Sequence, residues 1–138
     1  MKLGFGLYRH MLTEDYFRFA RQCGATHLIV HLANYYGGDD GRIVTATDEH
    51  TNYGECAPLD PVWEEENLRA LVKQAASFGL TVEGIENFSP ADWYDVLLDG
   101  PRRAEQMEKL KTIVRAAGAA GMAYAMGYMR AALALLDE

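Results

Sequence analysis

Four short apolar runs, residues 2–8, 27–33, 80–88 and 122–129, are separated by segments whose apolar residues recur at helical spacing. Alternation of this kind predicts parallel strands, because a helix between two strands returns the chain to the end where the previous strand began. In the first run, KLGFGLY, Leu3, Phe5 and Leu7 alternate with Gly4 and Gly6. Period two predicts a strand, and the glycines predict that backbone or ligand comes close to one of its faces. Thr13 is placed as an N-cap, with Glu14 and Asp15 at the positive end of the helix dipole and a Leu12–Phe17 staple. Gly24 supplies the left-handed stop. The run HLIVHLA (27–33) is apolar almost throughout and predicts a strand buried on both faces.

The next helix is predicted to open at Asp60-Pro61 and to bury Leu68, Leu71, Val72, Ala75 and Ala76 before Gly79 ends it. LTVEGIENF (80–88) follows as a strand. Ser89-Pro90 opens a short helix that runs through Leu98 and stops at Gly100. Pro101 then begins a longer helix with Met107, Leu110, Val114 and Ala117 on one face. The fourth run, MAYAMGYM (122–129), precedes a further helical start. The order β-α-β-loop-α-β-α-α-β fits either an open doubly wound sheet or part of a (β/α)8 barrel. A complete barrel takes about 250 residues, so about four strands in one domain of 138 residues make half of one. The irregular stretch 34–60 leaves the carboxyl end of the second strand, where α/β folds build their sites, and suits a lid or substrate loop.

Composition removes several function classes. Lys and Arg number 13 against 20 Asp and Glu, a formal net charge of −7, which disfavours nucleic acid or an anionic membrane as main partner. No apolar run approaches the roughly 20 residues of a membrane span, and the opening MKLGFGLYRH has no secretory apolar core, so a cytoplasmic protein is expected. Cys23 and Cys56 are too few for a disulfide scaffold, and Cys23 is expected to be buried and inert. His50 and Cys56, alone in an acidic loop, are weak metal ligands. GFGLYR lacks the third glycine of a dinucleotide fingerprint, and neither G-K-[ST] nor G-x-S-x-G occurs.

Position carries the remaining signal. Arg9 and His10 follow the first strand, His31 and Asn34 end the second, Glu86 and Asn87 end the third, and Tyr128 lies near the end of the fourth. In a parallel barrel these ends meet on one face. A cation, imidazole, carboxylate, amide and phenol gathered there from Arg9, His31, Glu86, Asn87 and Tyr128 suit a small sugar acid, with Arg9 for its carboxylate and Glu86 and Asn87 for its hydroxyls. Each also has a plain structural role. His31 suits a hydrogen-bonded core histidine, Arg9 an ion pair with a nearby acid, and Asn87 a turn cap before Ser89-Pro90. His10 is expected to face solvent, and Tyr8, Tyr124 and Tyr128 suit core filling. Glu86 is the most informative of them, because a carboxylate ending a buried strand must find a partner.

GFGLYRHML (4–12), FRFARQCGATHLIVHLANY (17–35), LRALVKQAASFGLTVEGIENF (68–88) and DWYDVLLDGPRRAEQMEKLKTIVRAAGAAG (92–121) together resemble the N-terminal part of the mannonate dehydratase family. Those enzymes are xylose-isomerase-like TIM barrels. The combination of LYRH, IENF and WYDVLLDGPRR carries most of the resemblance. It implies the N-terminal half of a TIM barrel and a hydro-lyase that converts D-mannonate to 2-keto-3-deoxy-D-gluconate and water in hexuronate (glucuronate) catabolism. It also implies Mn2+ or Fe2+ held by His, Cys and Asp ligands whose matching positions lie beyond this chain. After Gly127-Tyr128 the sequence reads MRAALALLDE, where the family continues with an asparagine and a substrate loop. The expectation is therefore a truncated or half-barrel form that is inactive alone and self-associates. The alternatives are a non-catalytic half-barrel binding module and a related sugar isomerase or epimerase.

Overall fold

A computed structural model describes residues 1–33 and 59–125. Strands β1 (Gly4–Tyr8), β2 (His27–His31), β3 (Thr81–Ile85) and the two-residue β4 (Tyr124–Ala125) form one sheet in the order β1-β2-β3-β4. Every pairing in it is parallel. Helix α1 (Glu14–Gln22) links β1 to β2, α2 (Glu65–Ser77) precedes β3, and α3 (Tyr94–Leu98) with α4 (Arg103–Ala119) lies between β3 and β4. The fold is α/β. The outer edge of β1 pairs with no strand among the described residues, and Leu3 and Phe19 are exposed. No helix among them is long and apolar enough to cross a membrane.

The core lies between one face of the sheet and the helices. Leu7, Leu28, Val30, Val82 and Ile85 meet Phe17 and Ala20 of α1, Leu68 and Ala75 of α2, and Leu110, Ile113 and Ala117 of α4. Register puts Leu28 beside Val82 and Val30 beside Leu7 and Ile85, so these apolar side chains share that face. Gly6, Tyr8, Ile29 and His31 alternate with them and belong to the opposite face. A bulge then changes the parity of β3: Leu28 pairs with Val82, but Ile29 pairs with Gly84, which leaves Glu83 as the extra residue. Unbroken alternation from Val82 would send residue 86 to the helix-covered side. The inserted residue returns it to the side of His31.

Several expectations need correction. Asp60-Pro61 opens a 3-10 turn, Pro61–Trp63, rather than α2, and the Asp60 side chain caps it by accepting from the Val62 amide at 2.9 Å. Ala76 and Val114 are exposed, and Ile113 takes the core position predicted for Val114. A stripe through Leu110, Ile113 and Ala117 selects the i+3 neighbour of Leu110 over the i+4 one. The left-handed stop of α3 falls on Asp99 (φ 51°). Gly100 is required for space instead, since a Cβ there would overlap the buried Asp95 carboxylate. Cys23 is exposed, not buried, at the end of a helix whose inward positions are Phe17 and Ala20. The stretch 34–58, with Asn34, His50 and Cys56, and residues 126–138, with Tyr128, lie outside the described residues.

Candidate functional site

The carboxyl ends of β1, β2 and β3 bring three of the predicted side chains together. His31 ends β2, and its Nε2 lies 2.7 Å from Oε2 of Glu86, the residue after β3. The Glu86 amide donates to the Val30 carbonyl at 3.0 Å, extending the ladder by one rung and fixing where the carboxylate starts. Tyr8, the register partner of His31 on β1, stacks on the imidazole with centroids 4.5 Å apart and planes at 29°. His10 lies nearly parallel to the Tyr8 ring, 6.2 Å from it, and is exposed as expected. Tyr8 itself is exposed rather than a core filler, because the edge strand puts it on the face without helices.

Burial divides the pair unequally. His31 is 9% exposed, whereas the Glu86 side chain is 44% exposed. The carboxylate therefore keeps its water while the imidazole has lost most of its own. His31 Nδ1 is fully buried and has no hydrogen-bond partner among the described residues. An imidazole held against a carboxylate, with one nitrogen uncommitted, is a unit able to take up or deliver a proton at a bound molecule.

Arg9 ends in the ion pair that its plain reading allowed. Its guanidinium grips Asp60 with both terminal nitrogens, Nη1 to Oδ2 at 2.5 Å and Nη2 to Oδ1 at 3.3 Å. Burial pushes the Asp60 carboxyl up, but the Arg9 hydrogen bonds, the Val62 amide and the Arg9 charge together hold it below the ordinary 3.8. Asn87 is half-buried and makes no side-chain hydrogen bond to the described residues.

A second ion pair here was not foreseen. Lys109 of α4 meets Asp92, with side chains 10% and 5% exposed. Burial raises the Asp92 carboxyl above 3.8, the bond and charge of Lys109 offset this in part, and the negative charge of Asp60 adds to the rise. The influence of Asp60 on Asp92, and of Lys109 on Asp60, links the two pairs electrostatically. A polar stripe within α4 was the available signal: Gln106 and Lys109 precede Leu110 and Ile113 at core spacing. Gln106 is fully buried, accepting from the Asp95 amide at 2.7 Å and donating to the Ala91 carbonyl at 2.9 Å. Below, Trp63 packs on Phe88 with ring centroids 5.4 Å apart, and the Trp93 indole donates to the Phe88 carbonyl at 3.2 Å.

Among the described residues no group of three His, Cys, Asp or Glu side chains converges as a metal site would require, so these residues do not fit the Mn2+ or Fe2+ implied by the resemblance. Comparison with protein-family models, with curated proteins and with solved structures gave no match to this chain.

Proposed function

We propose that the chain forms the substrate-binding half of a mannonate dehydratase-type hydro-lyase, on the N-terminal half of a TIM barrel, with His31 and Glu86 as its acid–base pair. The single observation that carries this reading is the His31–Glu86 contact, 2.7 Å long, at the carboxyl tips of parallel strands and on the face away from the helices. Loss of water from a sugar acid needs a base for the proton beside the carboxylate and an acid for the departing hydroxyl. An imidazole–carboxylate couple with Glu86 half in solvent suits one of those roles. Sequential strand order favours a barrel over a doubly wound sheet, in which the order reverses at a switch point. With Arg9 committed to Asp60, the predicted ligand contacts left at these tips among the described residues are His31, Glu86 and Asn87, which suit hydroxyls. Self-association belongs to the same reading, since the edge of β1, unpaired among the described residues and beside exposed Leu3 and Phe19, suits a second copy. Sedimentation as a monomer removes that part.

The test is titration of the chain with D-mannonate, followed by amide and side-chain NMR. Shifts clustered at Tyr8, His31, Glu86 and Asn87, lost in His31→Leu, support the reading. Shifts scattered elsewhere, or none, overturn it. Binding together with formation of 2-keto-3-deoxy-D-gluconate selects the enzyme, and binding without it selects a sugar-acid binding module.

A further inference from the structure

Two of the four histidines sit on the same strand, one at each end, and only one has a nitrogen left over. His27 has both occupied: Nδ1 is 2.7 Å from the Thr26 hydroxyl, and Nε2 faces Glu83 at 3.5 Å. His31 uses Nε2 on Glu86 and buries Nδ1 without a partner. A carboxylate only accepts, so an uncharged His31 must carry its proton on Nε2 to make the 2.7 Å contact. Nδ1 is then a bare acceptor. Leaving a buried acceptor unmet is unfavourable, and native proteins rarely do so without a ligand, water or function to account for it.

The geometry points to His31 Nδ1 as the ligand-binding atom of this site, with Glu86 as a positioning residue that fixes the tautomer, and to a hydroxyl as the group that occupies it. This deepens the sugar-acid reading and rests on it only for the substrate class. A metal ion would use the same lone pair but needs further ligands, and none converge there among the described residues. An ammonium donor suits the acceptor less, since among the described residues no second carboxylate is found against His31 to share its charge. The two neighbouring groups restrict the ring rather than compete for Nδ1. Tyr8 stacks on its plane, and on β1 Gly6 offers no side chain, a Cβ there standing 3.7 Å from Nε2. Nδ1 has no exposed surface, so a polyol reaches it only once the imidazole tilts from its place against Tyr8; an O–H can then be presented to Nδ1, whereas an acid without hydroxyls offers none.

The experiment is long-range proton–nitrogen NMR of the imidazoles in the full chain, taken on the alkaline side of the His31 titration located in the same series. The ligand-free protein is expected to show the Nε2–H tautomer at His31. Glu86→Ala should shift the tautomer ratio by roughly tenfold towards Nδ1–H, the scale of losing one charge-assisted hydrogen bond. Glu86→Gln, whose amide oxygen still accepts, should restore it, an effect that a purely packing role would not produce. D-mannitol and D-mannonate should both move the Nδ1 resonance in the direction of an accepted hydrogen bond, and succinate should not. A dominant Nδ1–H form, an imidazolium that persists into alkaline solution, or an Nδ1 signal that answers succinate or Zn2+ but neither polyol overturns the inference. Failure of dehydration with a normal mannitol response refutes only the dehydratase. Binding of D-mannonate at Tyr8 and Asn87 with Nδ1 unmoved refutes only this assignment.

Discussion

Strands β2 and β3 carry a histidine–glutamate pair at each end, and the two ends are built to different standards. At the amino end, Glu83 is shared between His27 and Lys2, whose Nζ lies 2.6 Å from Oε1, and the Lys2 side chain is 63% exposed. Every polar atom named there has a partner, and solvent screens the charges. At the carboxyl end the imidazole is more buried, its second nitrogen is unmet, and a buried Asp92–Lys109 pair lies beside the Arg9–Asp60 fork. The amino end looks like a fastening, whereas the carboxyl end keeps polar groups where burial makes them costly. Buried polar groups of that kind are what α/β folds that bind ligands gather at the carboxyl ends of their strands, and the proposed site rests on that likeness.

The largest expected effect tests the burial side of this contrast. Lys109→Met strands the Asp92 carboxylate in the interior and should cost about 3–5 kcal/mol at neutral pH, read by urea unfolding. The corresponding change at the other end, Lys2→Met, removes an exposed partner and should cost under about 1 kcal/mol. Equal losses at the two ends would erase the distinction between them. Adding Asp92→Leu to Lys109→Met should recover most of the stability, because the isolated charge is then gone.

The histidines give the next effect, with an order opposite to their burial. His27→Leu breaks the hydrogen bond to Thr26 and removes the contact with Glu83, and should destabilise by about 1 kcal/mol. His31→Leu loses the 2.7 Å contact with Glu86 but leaves that carboxylate to water and removes a buried acceptor that had no partner; the two offset, so its cost should stay within about 0.5 kcal/mol although the site is more buried. The same substitution should abolish the response to D-mannonate. A larger stability loss at His31 than at His27 would mean that Nδ1 is satisfied in solution.

Acid titration separates the two carboxylates of the carboxyl end by sign. Asp60 is held below 3.8 in the folded chain, so its contribution is present above 3.8 and is lost as pH falls through the folded value. Asp92 is raised, so the folded state holds its proton longer than the unfolded state. Its contribution is most favourable below 3.8 and declines as pH rises through the folded value. Asp60→Asn should therefore flatten the loss of stability on the acid side of 3.8, and Asp92→Asn should flatten a decline on the other side, measured as urea midpoints across that range. Matching slopes in the two variants would contradict the opposed environments.

Much of the frame was legible because it depends on periodicity. The alternation of Leu3, Phe5 and Leu7, the glycine stops at residues 24 and 79, and the apolar run at residue 27 read through to the observed strands and helices. Arg9, His31 and Glu86 were found by their place after a strand. Their partners were harder to see. Asp60 is fifty-one residues from Arg9, and its local signal, a turn cap before Pro61, is also true. Asp92 and Lys109 are polar residues in helical segments, which a sequence reading assigns to solvent until the stripe of Gln106, Leu110 and Ile113 is drawn. The bulge at Glu83 left no sequence mark at all. Strict alternation through TVEGI would have put Glu86 on the wrong face, and only the pairing of Gly84 with Ile29 corrects it.

Gly6 supplies the smallest test of the contrast and concerns the space beneath the imidazole. An added methyl group there would stand 3.7 Å from His31 Nε2, an ordinary contact. The residue lies in a strand without the positive φ that would penalise a side chain. Gly6→Ala should accordingly stabilise the chain by about 0.4–1 kcal/mol through the unfolded state. If Glu86 alone orients the ring, the His31 tautomer will be unchanged in this variant. If the open face of Gly6 instead lets the ring tilt to reach its ligand, the same variant will keep its stability gain while its response to D-mannitol weakens. Stability and binding would then part company at a single methyl group, and the preorganisation of His31 would be assigned to both strands that flank it rather than to β3 alone.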